Sequence, residues 1–145
     1  MKFTILITSY NKGKYLKDCL DSCLNQSEKD YEIILCDNYS DDNTVDIFSK
    51  YEDSIKLIKK KRVSKYAPQN QIDLIKEGLE IAKGDFICLL DCDDYFQINK
   101  LKNINEYFES NKDLKVLFDL PEIKKMICFI NLSLKEKFKR IFGQQ

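Results

Sequence analysis

A chain of 145 residues suits one domain, and 43% apolar, 33% charged and 12% aromatic residues exclude a disordered or low-complexity protein. Lysine plus arginine number 24 and aspartate plus glutamate 24, so no charge excess points to nucleic acid or to an acidic partner. Histidine is absent, which removes imidazole acid–base catalysis, Ser-His-Asp triads and imidazole zinc sites.

Residues 2–9 are a near-continuous apolar run and predict a strand buried on both faces of a sheet. Tyr15, Leu16, Cys19, Leu20, Cys23 and Leu24 then recur at helical spacing. Residues 31–36 predict a second buried strand that stops at Asp37, and a polar loop over 38–43 leads to a helix carrying Val45, Phe48 and Tyr51. Residues 54–60 alternate as a third, more exposed strand. After a basic loop, Pro68 opens a helix with the stripe Ile72, Ile75, Leu79 and Ala82, and Gly84 is expected to end it. Residues 86–90 are the most strand-like of all and stop at Asp91. Leu101, Ile104 and Phe108 predict another helix, and 115–120 another strand.

This alternation predicts an α/β domain over residues 1–120, with an open, mostly parallel sheet and helices on both faces. Over 122–142, Ile123, Ile127, Ile130, Leu134, Phe138 and Ile141 recur every three or four residues opposite Lys124, Lys125, Lys135, Lys137, Lys139 and Arg140. That pattern predicts a basic amphipathic C-terminal helix within 121–145, suited to peripheral contact with the anionic inner face of a membrane. No apolar run approaches the ~18 residues a membrane span needs. The N-terminal apolar run is too short for a signal peptide, so the protein is expected in the cytoplasm with all six cysteines reduced.

Ligands of open α/β sheets bind beyond the C-terminal ends of the strands. Three polar clusters fall there: Thr8-Ser9-Tyr10-Asn11, Asp37 through Asp42, and Asp91-Cys92-Asp93-Asp94. The first two carry little alone, because Asn, Asp and Ser are ordinary turn and cap residues. The third is stronger. Three carboxylates within four residues repel one another unless a cation neutralises them, and hard divalent ions take oxygen ligands. Other phosphate motifs are missing: there is no G-x-G-x-x-G after the first strand, no Walker A sequence, and no central glycine of a calcium loop.

In combination the three clusters carry a resemblance. Ile5-Leu6-Ile7-Thr8-Ser9-Tyr10-Asn11 resembles the opening of family 2 glycosyltransferases of the GT-A fold. Leu35 through Thr44 is similar to their V-V-D-D/N-G-S-x-D-x-T segment, and Ala82 through Asp94 to the A-K-G-x-[YF]-I-x-x-L-D-x-D-D stretch that carries the DxD motif. The resemblance covers residues 1 to about 120 and implies a Rossmann-like GT-A domain. It implies that Thr8, Tyr10 and Asn11 pack on a nucleotide base, with Asp37 and Asn38 contacting that base. It places Asp91 near the ribose and on the metal, Asp93 on the metal, Mn²⁺ or Mg²⁺, that bridges the diphosphate, and Gln71 among the donor contacts. The implied partners are a UDP- or dTDP-type sugar donor and a glycan or lipid-linked acceptor in surface glycan synthesis, with no nucleic acid.

The sequence departs from the family pattern in three places. Thr8 stands for proline, Tyr39 for the glycine of the second motif, and Lys76 for an asparagine of a variant pattern that Gln71, Asp73 and Gly78 fit. Family members place the acceptor site and the catalytic base well beyond the DxD. Here about fifty residues follow it, so the chain resembles the donor-binding half of an enzyme. Neither Asp119 nor Glu122, the late acidic positions near a strand end, carries a pattern that marks a base. The rivals are a non-catalytic nucleotide-sugar-binding module and a phosphoryl hydrolase; sugar-nucleotide binding without turnover would favour the first, phosphate release from simple esters the second.

Overall fold

The computed structural model describes residues 2–119 and 127–131. Its chain order is β1 (Phe3–Ser9), α1 (Gly13–Leu24), β2 (Tyr31–Asp37), α2 (Thr44–Phe48), β3 (Lys56–Lys59), α3 (Ala67–Ile81), β4 (Phe86–Asp91), α4 (Lys100–Ser110), β5 (Val116–Asp119) and β6 (Ile127–Asn131). These strands form one sheet in the order β3-β2-β1-β4-β6-β5. β1 pairs in parallel with β2 and β4, and β2 with β3, while β6 runs antiparallel to both β4 and β5. The expected mostly parallel α/β architecture is therefore present.

Strand alternation divides the core between the two faces. Phe3, Ile5 and Ile7 of β1 and Ile33 and Leu35 of β2 turn to one face. There they meet Leu16, Leu20 and Cys23 of α1 and Leu101, Ile104 and Phe108 of α4. Leu6, Ile34, Cys36 and Ile87 turn to the other face, against Leu74 of α3. Because β1 is central and covered on both sides, its middle, Ile5-Leu6-Ile7, is apolar on both faces, as buried parallel strands are.

Three expectations are corrected. Residues 127–131, expected within the amphipathic helix, form β6 instead. The stripe positions Ile127 and Ile130 also belong to the unbroken run Ile127-Cys128-Phe129-Ile130, and so short a run fits either period. The strand assignment wins by supplying hydrogen-bond partners to β4 and β5. The proposed membrane-facing stripe thereby loses two members; the remainder of that helix, with Glu122, lies outside the described residues. Gly84 does not cap α3, which ends at an extended Ala82. It is small because it packs against the backbone of β1. Finally, β3 begins at Lys56 rather than at 54.

Cys19, Cys23, Cys36, Cys88 and Cys92 are free and buried. Burial pushes the Cys36 thiol up to about 12 and the Cys92 thiol up to about 11, so both are protonated at neutral pH.

Candidate functional site

The parallel strands β1, β2 and β4 end on one edge of the sheet, and their register assembles the site. Thr8 stands opposite Asp91, and Ser9 opposite Asp37. Asp91 Oδ1 accepts hydrogen bonds from Thr8 Oγ1 at 3.0 Å and from Gln71 Nε2 at 2.7 Å, and the Gln71 amide also reaches Thr8 Oγ1 at 3.1 Å. Two residues far apart in sequence thus hold one carboxylate in a fixed orientation. Cys92 continues the ladder by donating its N–H to Thr8 O at 3.1 Å, and it is 1% exposed. Its side chain turns into the core, which leaves Asp91 and Asp93 on the open side.

Carboxylate oxygens of Asp91, Asp93 and Asp94 lie within 4.8 Å of one another. All three are half-buried, and the turn is closed by Asp94 N donating to Asp91 O at 2.9 Å. A cluster of hard oxygen donors at this separation fits Mg²⁺ or Mn²⁺ and does not suit a soft metal. The Lys12 ammonium forms an ion pair with Asp93 Oδ2 at 3.0 Å. A cavity of about 300 Å³ opens over these groups. Thr8, Tyr10, Asn38, Gln71, Asp91 and Asp93 all line it, so the structure brings six of the eight candidate residues to one place.

Asn11 and Asp37 are not among the cavity's lining residues. Asp37 is 1% exposed, and its carboxylate accepts from both the backbone N–H and the hydroxyl of Ser40. Asn11 exchanges two hydrogen bonds with Asp41, from Nδ2 to Oδ1 at 2.7 Å and from Asp41 N to Oδ1 of Asn11 at 3.0 Å. Asp42 ties the next turn: Oδ2 accepts from Gly13 N at 2.8 Å, and Oδ1 accepts from Thr44 N at 3.0 Å and from the Thr44 hydroxyl. Burial alone would raise the Asp42 carboxyl, but these donors outweigh it and hold the group below its ordinary value. Both residues therefore fasten the β1 and β2 loops to each other.

That lashed loop holds Tyr39 at φ 60°, a left-handed conformation. Glycine adopts it freely, whereas a tyrosine is strained there by about 1 kcal/mol. Tyr39 is 54% exposed and offsets part of this through the Lys61 ammonium 5.5 Å from its ring. Tyr39→Gly is expected to raise stability by about 0.5 kcal/mol, read as a higher urea midpoint at unchanged slope. A lower midpoint would mean that the ring contact outweighs the strain.

Two cavity-lining residues escape sequence reading. Lys12 looks like an ordinary helix-start residue. Arg62, in the basic loop after β3, stacks its guanidinium 4.1 Å from the Tyr10 ring centroid and lines the cavity. Its loop is pinned by Asn70, 2% exposed, whose Oδ1 accepts from Val63 N at 3.1 Å and Ser64 N at 3.0 Å. A buried asparagine just inside a helix start, preceded by a basic run, was the signal available for that loop.

The enzyme WfaP of Escherichia coli, a UDP-Glc:alpha-D-GlcNAc-diphosphoundecaprenol beta-1,3-glucosyltransferase, is 36% identical over 109 residues, 75% of this chain and 42% of its own. Staphylococcus aureus TarS residues 1–349, solved with UDP, superposes with a TM-score of 0.79 at 20% identity, over 95% of this chain and 49% of that one. The mannosyltransferase PcManGT of Pyrobaculum calidifontis, solved with GDP-Man and Mn²⁺, gives 0.80 at 14% identity, over 94% and 46%. The chain spans less than half the length of these proteins. The model of the family "Glycosyl transferase family 2" matches residues 4–143, and the chain belongs to that family.

Proposed function

We propose that this chain binds a nucleoside-diphospho-sugar, of UDP or dTDP type, with a divalent cation and serves transfer of the sugar to a glycan or lipid-linked acceptor. The observation that carries the reading is the 300 Å³ cavity in which Thr8 and Gln71 orient Asp91 beside Asp93 and Asp94. Relatives support it: the name of WfaP states a UDP-Glc donor and a diphosphoundecaprenol-linked acceptor, and the solved neighbours hold UDP or GDP-Man with Mn²⁺.

In this reading Tyr10 and Asn38 line the nucleoside end of the cavity. Asn11 and Asp37 act by shaping the wall from behind. Asp91 and Asp93, with Asp94 beside them, would hold the cation. The cation, when bound, supplies positive charge to the departing diphosphate. Asp91 is kept as a pre-oriented acceptor by Thr8 and Gln71, so little reorganisation accompanies donor binding. Transfer is favoured over simple ester hydrolysis because no DxDx[TV] nucleophile motif follows β1.

Calorimetry with UDP tests the reading. Binding is expected to strengthen when Mn²⁺ is added, and Asp93→Ala is expected to remove that gain, a loss of about tenfold, or ~1.4 kcal/mol. Failure of UDP, dTDP and GDP alike to bind in the presence of Mn²⁺ would overturn it.

A further inference from the structure

Lys12 sits between the β1 loop and α1, and its backbone is anchored: its carbonyl accepts from Tyr15 N at 2.9 Å and Leu16 N at 3.2 Å. Its side chain does no capping of α1. Instead, a four-carbon stem carries the ammonium past the Tyr15 ring, 5.8 Å from the centroid, to Asp93 Oδ2 at 3.0 Å. The partners are 81 residues apart in sequence and both line the cavity. The Lys12 side chain is 45% exposed and that of Asp93 20%. An ion pair this open contributes at most about 1 kcal/mol, so it breaks readily.

Charge decides what happens there. Lys12 and Arg62 contribute two positive charges to the cavity wall, and Asp91 and Asp93 two negative ones. A divalent cation on Asp93 repels the ammonium that now neutralises it. A diphosphate brought to the same carboxylates presents oxygens within reach of that displaced ammonium, because the stem is flexible and its root is fixed. The cation and Lys12 thus compete for Asp93 and cooperate toward the donor.

We propose that Lys12 is a donor-phosphate-binding residue parked on Asp93: it yields that carboxylate to the divalent cation and then binds the diphosphate. The proposal rests on the nucleoside-diphosphate reading of the cavity. It predicts effects of opposite sign from one substitution, which a merely structural ion pair would not produce.

The variant is Lys12→Met, which keeps the stem and removes the charge. Mn²⁺ alone, titrated by calorimetry or by its paramagnetic resonance signal, is expected to bind about threefold tighter than to the parent chain, since its competitor is gone. UDP at saturating Mn²⁺ is expected to bind about tenfold more weakly, through loss of a charge-assisted hydrogen bond. Lys12→Arg should keep most of the UDP affinity, and uridine should not distinguish the three proteins. Thermal melting of the variants should match the parent, because the pair is open to solvent. Mn²⁺ and UDP affinities that move in the same direction, or a UDP affinity that does not change, overturn the proposal. If the parent chain itself binds no UDP with Mn²⁺ present, the donor reading has failed; if it binds UDP and Lys12→Met binds it equally, only the role of Lys12 has failed.

Discussion

Gly84→Ala is expected to destabilise the protein by about 3 kcal/mol, at the upper end for overpacking, because the atoms in the way are backbone. A Cβ at this position would lie 2.4 Å from both Phe3 C and Thr4 N, and 2.9 Å from Phe3 O. Those atoms belong to β1, which is hydrogen-bonded to β2 on one side and β4 on the other and cannot withdraw without breaking two ladders. The displacement would also pull Gly84 N from Thr4 Oγ1, to which it donates at 3.0 Å. Gly78 provides the internal comparison. A Cβ there meets Leu6 Cδ1 at 2.4 Å, Leu6 Cγ at 2.9 Å and Cys36 Sγ at 3.0 Å, which are side-chain atoms and give more readily than a doubly paired backbone. Urea denaturation of the two alanine variants should rank Gly84→Ala clearly below Gly78→Ala. Equal midpoints would show that β1 yields more easily than a doubly paired strand should.

Glu32→Ala is expected to cost about 2–3 kcal/mol at neutral pH, through the donors it leaves without a partner. Glu32 is 8% exposed and lies near the N-terminal edge of the sheet. Its Oε1 accepts from Thr4 Oγ1 at 2.8 Å and from Lys83 N, and its Oε2 from Lys56 Nζ at 2.8 Å. One carboxylate therefore joins β1, β2, β3 and the turn that enters β4. Burial by itself would raise this carboxyl, but the Lys56 ammonium, the Lys83 N–H and the Thr4 hydroxyl together hold it below its ordinary value of 4.5. A carboxyl lowered in the folded state binds its proton less readily than in the unfolded chain. Its contribution is complete above about pH 5 and is lost as pH falls through the folded value. Glu32→Gln keeps the shape without the charge, so its stability should decline less than that of the parent as the buffer is taken from about pH 6 to about pH 3. Parallel decline of the two would assign the acid sensitivity to other groups.

Much of the molecule was legible because two periods are hard to confuse over long segments. The apolar run of β1 and the stripe of α1 each permit one reading, and the three clusters at the strand ends follow once the strands are placed. Legibility ended where local pattern and long-range pairing disagree. Ile127 and Ile130 fit a helix as well as a strand, and only the open ladders of β4 and β5 decide between them. Gly84 reads as a cap because it follows a helix, yet its smallness serves a strand 80 residues away. Within the site, Asp37 is identifiable as important, but its hydrogen bonds from Ser40 depend on a turn geometry that sequence does not display. Arg62 and Lys12 were missed for a related reason: a flexible cation declares its partner only in three dimensions.

The pairing of Thr8 with Asp91 constrains how the length of this chain can vary. Side chains alternate along a strand, so one residue inserted in β1 or deleted from β4 would turn the opposed position inward and put an apolar neighbour in its place. The polar contact would vanish although every residue that makes it remained. No such parity governs residues 61–65 or 94–99, which lie outside the ladder; what holds them is instead the Asn70 side chain on Val63 N and Ser64 N, and the burial of Phe96. Tolerance to insertion in this protein is therefore set by odd and even steps along two strands, and it is lowest a few residues before the carboxylates rather than at them.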